Sequence, residues 1–180
     1  ILPEKLTMRL LLFAGLLLAV SCRNQEPRQV VSLKPHLDSL LNAWHQAAAK
    51  ADLKTYFSLM DSSCIFIGTD AGEYWNDTAF LGFCRPYFEK GKAWTFKPLQ
   101  RHLYVSPQNG VAWFDEVLDT QMKLCRGSGV LREVNGQWKI VHYVLSMTIP
   151  NACTKTIVPI KTPIEDSMIQ IWQQRPSLAP

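Results

Sequence analysis

Apolar positions change their spacing along this chain, and each change predicts a different kind of element. Leu10 to Val20 is an unbroken run of apolar or small residues. Further on, Leu33, Leu37, Leu40, Leu41, Trp44 and Ala48 recur on one helical face. They predict a helix from about Leu33 to Ala51 with Ser32 as its N-cap. Asp52 then caps a short helix bearing Leu53, Tyr56, Phe57 and Met60, and Cys64-Ile65-Phe66-Ile67 reads as a short strand ended by Gly68. After the loop Thr69 to Glu73, Asn76 or Asp77 caps a third helix with Phe80, Phe83, Cys84, Tyr87 and Phe88 on its apolar face and Gly91 at its end. Pro86 is expected to kink it or tighten its last turn.

From Trp94 to Ile149 the pattern is β throughout: strands over Trp94–Val105, Val111–Gln121, Leu124–Val134 and Trp138–Thr148. Ser106 to Gly110 makes one hairpin loop, and Asn135-Gly136 is a two-residue hairpin signal. Helices first and an antiparallel meander second predict an α+β fold, with three N-terminal helices packed on a curved antiparallel sheet. In the tail, Thr162-Pro163-Ile164-Glu165 resembles a capping box opening a short helix through Trp172.

The first apolar run follows Met8-Arg9 and is shorter than the roughly 20 residues a membrane span needs, so it reads as a signal peptide. Residues 1–7 lie upstream of Met8 and read as an extension. The run ends Leu18-Ala19-Val20-Ser21-Cys22, which resembles a bacterial lipobox. The expectation is lipidation at Cys22, cleavage before it, and a lipid anchor in the bacterial cell envelope; the alternative is an ordinary secretory leader. Arg23 to Gln29 then serves as a polar tether. The expected organisation is a leader over 1–21, anchor and tether over 22–31, one domain over 32–151, and a C-terminal extension over 152–180.

Hydrophobic residues at 47% and charged residues at 19% suit a globular domain, and six Trp with eight Phe promise an aromatic core. The formal charge of +4 is spread without basic runs, so nucleic acid is not an expected partner. Cys64, Cys84, Cys125 and Cys153 leave three full pairings open, and no Cys/His spacing suggests a metal. A phosphate-binding glycine loop is missing too, and Ser128 lacks the strand–turn–helix setting of a nucleophile elbow. No cofactor is expected.

Local motifs add a resemblance. Gly68-Thr69-Asp70-Ala71 with Glu73 and Trp75, Arg85-Pro86-Tyr87-Phe88-Glu89-Lys90-Gly91 and Trp94-Thr95-Phe96-Lys97-Pro98 are similar to a bacterial branch of the SnoaL-like, nuclear transport factor 2-like family. So are Arg101-His102, Ala112-Trp113-Phe114-Asp115-Glu116, Cys125 to Leu131, Gly136 with Trp138-Lys139-Ile140, and Ile149-Pro150-Asn151. The similarity covers roughly residues 35–151 and implies a cone-shaped fold. Relatives in that family include polyketide cyclases, ketosteroid isomerase and dehydratases beside non-enzymatic binders, so the fold leaves the function open.

Strand alternation nominates candidate residues. Pairing across Asn135-Gly136 sets Val134 opposite Gln137, Leu131 opposite Ile140, Gly129 opposite His142 and Gly127 opposite Val144. His142 is then expected on the inner face, beside glycines that leave space. Pairing Val105 with Val111 sets Arg101 opposite Asp115 and Leu103 opposite Trp113; a one-residue slip pairs His102 with Asp115 or Arg101 with Glu116 instead. Asp115 and His142 are the candidate catalytic pair, a base and an acid for proton abstraction beside a carbonyl. Arg101, Trp113, Asp70, Glu73 and Trp75 are the candidate ligand-binding residues, the last three on a loop able to cover a cavity mouth.

Three functions are therefore expected to compete. The leading one is binding of a small, largely apolar molecule in the cavity. The others are a cofactor-free isomerase, cyclase or dehydratase, and a structural dimeric envelope protein. The last strand is apolar on both faces, so a second copy, or the segment around Met168 to Trp172, is expected to cover its outer side.

Overall fold

The computed structural model describes residues 28–174; the leader, the lipobox and most of the tether lie outside the described residues. The N-terminal helix α1, Arg28–Ala49, begins earlier than its apolar spacing suggests and runs through Pro35 without a break. Its Leu37, Leu41, Trp44 and Ala48 are buried, as the helical spacing requires. Helix α2, Leu53–Ser58, follows a turn capped by Asp52, whose carboxylate accepts from the Thr55 amide. Strand β1, Met60–Ile67, and the three-residue β2, Tyr74–Asn76, enclose the 68–73 loop. Helix α3, Asp77–Glu89, is capped by the Asn76 side chain and absorbs Pro86. Gly91, at φ +68°, ends it in the left-handed conformation.

Strands β3, Lys97–Ser106, β4, Val111–Thr120, β5, Lys123–Val134, and β6, Gln137–Met147, form the meander. The six strands lie in the order β2-β1-β6-β5-β4-β3. The sheet is mixed where a purely antiparallel one is expected, because β1 returns beside β6 in parallel. Asn135 and Gly136 take φ +51° and +75°, the turn that their type demands.

Two registers depart from the simple count. The loop Ser106 to Gly110 is tightened by a 3-10 turn over Pro107–Asn109, so Val105 faces Ala112 and Ser106 faces Val111. The slipped alternative therefore holds at both positions: Arg101 lies opposite Glu116, and His102 opposite Asp115. In the last hairpin, Leu131 faces Ile140 as expected, but Val130 faces His142, with Val141 left as the extra residue of a β-bulge. Beyond the bulge every side chain of β6 changes sides. Tyr143 and Leu145 turn inward and are buried, while His142 and Val144 turn outward.

The concave inner face, α1, α2 and α3 enclose the core. Trp44 stacks on Tyr56 at 5.0 Å between ring centroids and meets Tyr143 edge-on at 4.8 Å. The C-terminal helix α4, Thr154–Gln173, is longer than the short helix expected from Thr162. It runs through Pro159 and Pro163 and has no buried residue. It borders a groove with the 69–71 loop and the end of β6 at Ser146 and Met147, and Tyr104 and Trp113 on the outer sheet face stay half exposed.

Candidate functional site

Among the described residues, an open apolar pocket of about 130 Å³ lies between β1, α3 and the segment leading into β3, and a larger apolar groove of about 430 Å³ lies under α4. The walls of the pocket are Phe66 of β1, Phe80 and Phe83 of α3, and Trp94 and Phe96 from the segment leading into β3. Phe66 and Phe80 stack at 4.0 Å between centroids, and Trp94 lies 6.4 Å from Phe96, so the rings form one continuous array. Leu145 and Met122 complete the apolar lining. Its polar side chains are those of Thr69, Glu73 and Gln121, beside the Gly68 backbone. Among the described residues, Glu73 is the single titratable one in the lining. Its carboxylate accepts from the Asp70 amide at 3.2 Å and lies so close over Gly68 that a Cβ there would sit 2.1 Å from Oε2. Glycine at position 68 is what lets that carboxylate fold over the mouth.

Deeper in the cone is a buried ionic network. The Glu116 side chain is fully buried. It accepts from His45 Nε2 at 2.9 Å and from Tyr143 Oη at 3.0 Å, and from Arg101 Nε at 2.9 Å and Nη2 at 2.7 Å. Arg101 Nη1 reaches across to Asp38 Oδ1 at 2.7 Å and Asn42 Oδ1 at 2.8 Å on α1. Burial alone would raise the Glu116 carboxyl; the His45 hydrogen bond and charge and the Arg101 guanidinium outweigh it and hold the group below the usual carboxylate range. Tyr143 is pushed well above an ordinary phenol by burial and by the Glu116 charge, so its hydroxyl stays a donor. The space expected beside the β5 glycines is occupied. A Cβ on Gly127 would lie 2.3 Å from Tyr143 Oη, and one on Gly129 2.8 Å from Phe114.

The nominated residues therefore separate. Arg101 is on the inner side, its side chain 5% exposed, and it binds Glu116 and Asp38 rather than Asp115. Asp115 and His142 are both on the outer face, in neighbouring cross-strand rows, and neither lines the cavity. This corrects the expectation that Arg101, Asp115 and His142 border one cavity. Asp115 instead pairs with His102 at 2.9 Å, with the side chains 37% and 60% exposed. Trp113 is also outside, half exposed and stacked on Tyr104 at 5.7 Å. Of the loop residues, Glu73 reaches the cavity; Trp75 packs on Phe83 at 5.3 Å without lining it; Asp70 borders the groove under α4. Sequence reasoning passed over His45, Asp38 and Asn42. Their signal was a polar stripe at four- and three-residue spacing along the edge of the apolar face of α1.

The family profile of the SnoaL-like domain matches residues 37–150. The chain belongs to the SnoaL-like domain family. The domain is similar to an NTF2-like protein of unknown function from Pseudomonas putida KT2440, with a TM-score of 0.57 at 13% identity over 67% of this chain and 90% of that one. It is also similar to an NTF2-like protein from Cytophaga hutchinsonii, with a TM-score of 0.54 at 13% identity over 64% of this chain and 98% of that one. A third likeness is to the association domain of C. elegans CaMKII, with a TM-score of 0.52 at 18% identity over 67% of this chain and 100% of that one. These likenesses establish the NTF2-like cone and no activity. Comparison with curated proteins finds no match in sequence.

Proposed function

We propose that this is a lipid-anchored protein of the bacterial cell envelope whose SnoaL-like domain holds a small, largely apolar molecule. The observation that carries the reading is the cavity: five aromatic rings, two further apolar side chains, and one carboxylate at the rim. Its volume of about 130 Å³ is below the roughly 300–1,000 Å³ of sites for drug-sized ligands. It is close to the roughly 150 Å³ that accommodates benzene in a dry apolar cavity. A compact molecule, or the compact end of a longer one, suits it; a whole polyketide or steroid does not.

Catalysis by Asp115 and His142 has no such support, because both groups face away from the cavity. With Glu73 as its only titratable lining residue, the cavity also lacks an acid–base pair. The anchor reading rests on the sequence from Leu10 to Cys22. A second copy of the chain is the proposed cover for the outer face, where Tyr104 and Trp113 lie half exposed.

One measurement tests both halves of the proposal. The protein is purified from membranes of its own host and weighed under native and denaturing conditions. The denatured mass should show an acylated Cys22 as the N-terminus, and the native mass, divided by the number of chains in the assembly, should exceed it by a small molecule. A denatured mass without acyl chains overturns the anchor. A native mass per chain equal to the denatured mass, with no rise in melting temperature on adding benzene or indole, overturns the binding role.

A further inference from the structure

Helix α4 is amphipathic, and its apolar side faces the body of the domain across a groove. Ile157, Ile164 and Met168 recur at helical spacing and form one wall. Ala71 from the loop after β1, with Met147 and Ile149 at and just beyond the end of β6, forms the other. No residue of α4 is buried, and Ile164, Met147 and Ile149 stay 68%, 53% and 42% exposed. Two apolar walls about 430 Å³ apart in volume make a site rather than a core, within the roughly 300–1,000 Å³ of small-molecule sites.

Shape decides what fits between them. From Ile157 to Met168 the helix advances about 16 Å, at roughly 1.5 Å per residue. Spread along that length, the groove has a cross-section of about 27 Å², against roughly 80 Å² for a helix about 10 Å across. A helix from a second copy is therefore too wide. A strand finds no edge to pair with, because β6 lies between β1 and β5. Any extended peptide would also leave its amides unpaired against apolar walls. A single hydrocarbon chain has the width and needs no hydrogen bond. Charge then selects its headgroup. Among the described residues the charged side chains of the lining are Asp70, Lys161 and Glu165, one cation against two carboxylates. Lys161 is held by Glu165 at 2.9 Å, and Asp70 accepts from the Gly72 amide at 2.7 Å. A chain ending in a carboxylate would meet a net negative rim. We propose that the groove under α4 binds the acyl chain of a lipid that carries no net negative charge. This second site shares Thr69 with the aromatic pocket but does not rest on the reading of that pocket.

Calorimetric titration of the full chain with dodecylphosphocholine below its micelle concentration, and with dodecanoate, tests the proposal. The two probes carry the same alkyl chain and differ in net charge. The zwitterionic probe should bind, and the anionic one up to about fivefold more weakly, the size of an exposed charge interaction. Ile164→Glu combined with Met168→Glu sets two carboxylates among the apolar residues of α4. It should weaken the zwitterionic probe about tenfold or more, because desolvating those charges opposes entry of the chain. Neither residue is buried, so the double variant keeps its fold, and circular dichroism checks this. Indole, the probe for the aromatic pocket, should act on the double variant as on the unaltered protein, which separates failure of the groove from failure of the pocket. No binding of dodecylphosphocholine, or undiminished binding to the double variant, would overturn the site. Equal or tighter binding of dodecanoate would overturn the class of lipid.

Discussion

Glu116 is the residue on which the interior turns. It is a fully buried carboxylate with donors from three elements: His45 on α1, Arg101 on β3 and Tyr143 on β6. Removing one partner of a buried ion pair leaves the other charge uncompensated, at a cost of about 3–5 kcal/mol. Glu116→Gln keeps the shape and loses the charge, so urea unfolding at pH 7 should show a destabilisation of that order. The folded carboxyl titrates below the unfolded one, whose value is about 4.3. Its stabilisation is therefore complete above that pH and is lost as pH falls through the lower, folded value. The gap between wild type and Glu116→Gln should narrow on acidification. A gap that is constant from pH 7 to pH 3 would show that the charge contributes nothing.

At the level of elements, a single extra residue decides what β6 presents to each side. Up to Ile140 the strand alternates as counted from Asn135-Gly136; the bulge at Val141 then exchanges the faces, bringing Tyr143 to Glu116 and moving His142 outside. The opposite case is α4, whose sequence is amphipathic but whose apolar residues find no core. Val158, Ile160, Ile164 and Ile171 are each more than half exposed, at 52%, 64%, 68% and 55%. Two internal prolines further weaken the helix. Truncation after Cys153 should therefore change the unfolding free energy of the domain by no more than about 0.5 kcal/mol. A much larger loss in a denaturant titration would mean that α4 closes onto the body through its groove with the 69–71 loop.

The whole molecule has one satisfied face and one open face. The inner face of the sheet is closed by three helices. The outer face carries a cross-strand row from Tyr104 through Trp113 and Val130 to His142, which continues onto Ile65. Beside it runs a second row through Asp115, Ser128 and Val144. An antiparallel sheet open to water ordinarily shows polar residues there. Among the described residues α4 does not reach the row from Tyr104 to His142, and a second copy is the proposed cover there. Light scattering should report a dimer, and Val130→Lys should convert it to a monomer with an intact fold. A wild-type monomer at tens of micromolar would remove the interface.

Local rules made most of the elements legible. The apolar face of α1, the Asp52 and Asn76 caps, the Asn135-Gly136 turn and the Gly91 stop are each set by residues within a turn of one another. The family motifs lie on the same elements, so the α+β class was readable without tertiary information. Glu73, on the loop expected to border a cavity, lines the pocket, while Asp70 and Trp75 do not. Sheet register was not local in that sense. A 3-10 turn at Pro107–Asn109 and a bulge at Val141 each displaced a strand by one residue, and a period of two turns such a step into a change of face. That is why Asp115 and His142 stand outside while Glu116 and Tyr143, one place along in each strand, are buried. The parallel return of β1 to β6 and the pairing of Asp38 and His45 with β3 and β4 join residues more than sixty positions apart. Contacts of that range leave no periodic trace in a single sequence, and only the folded chain decides them.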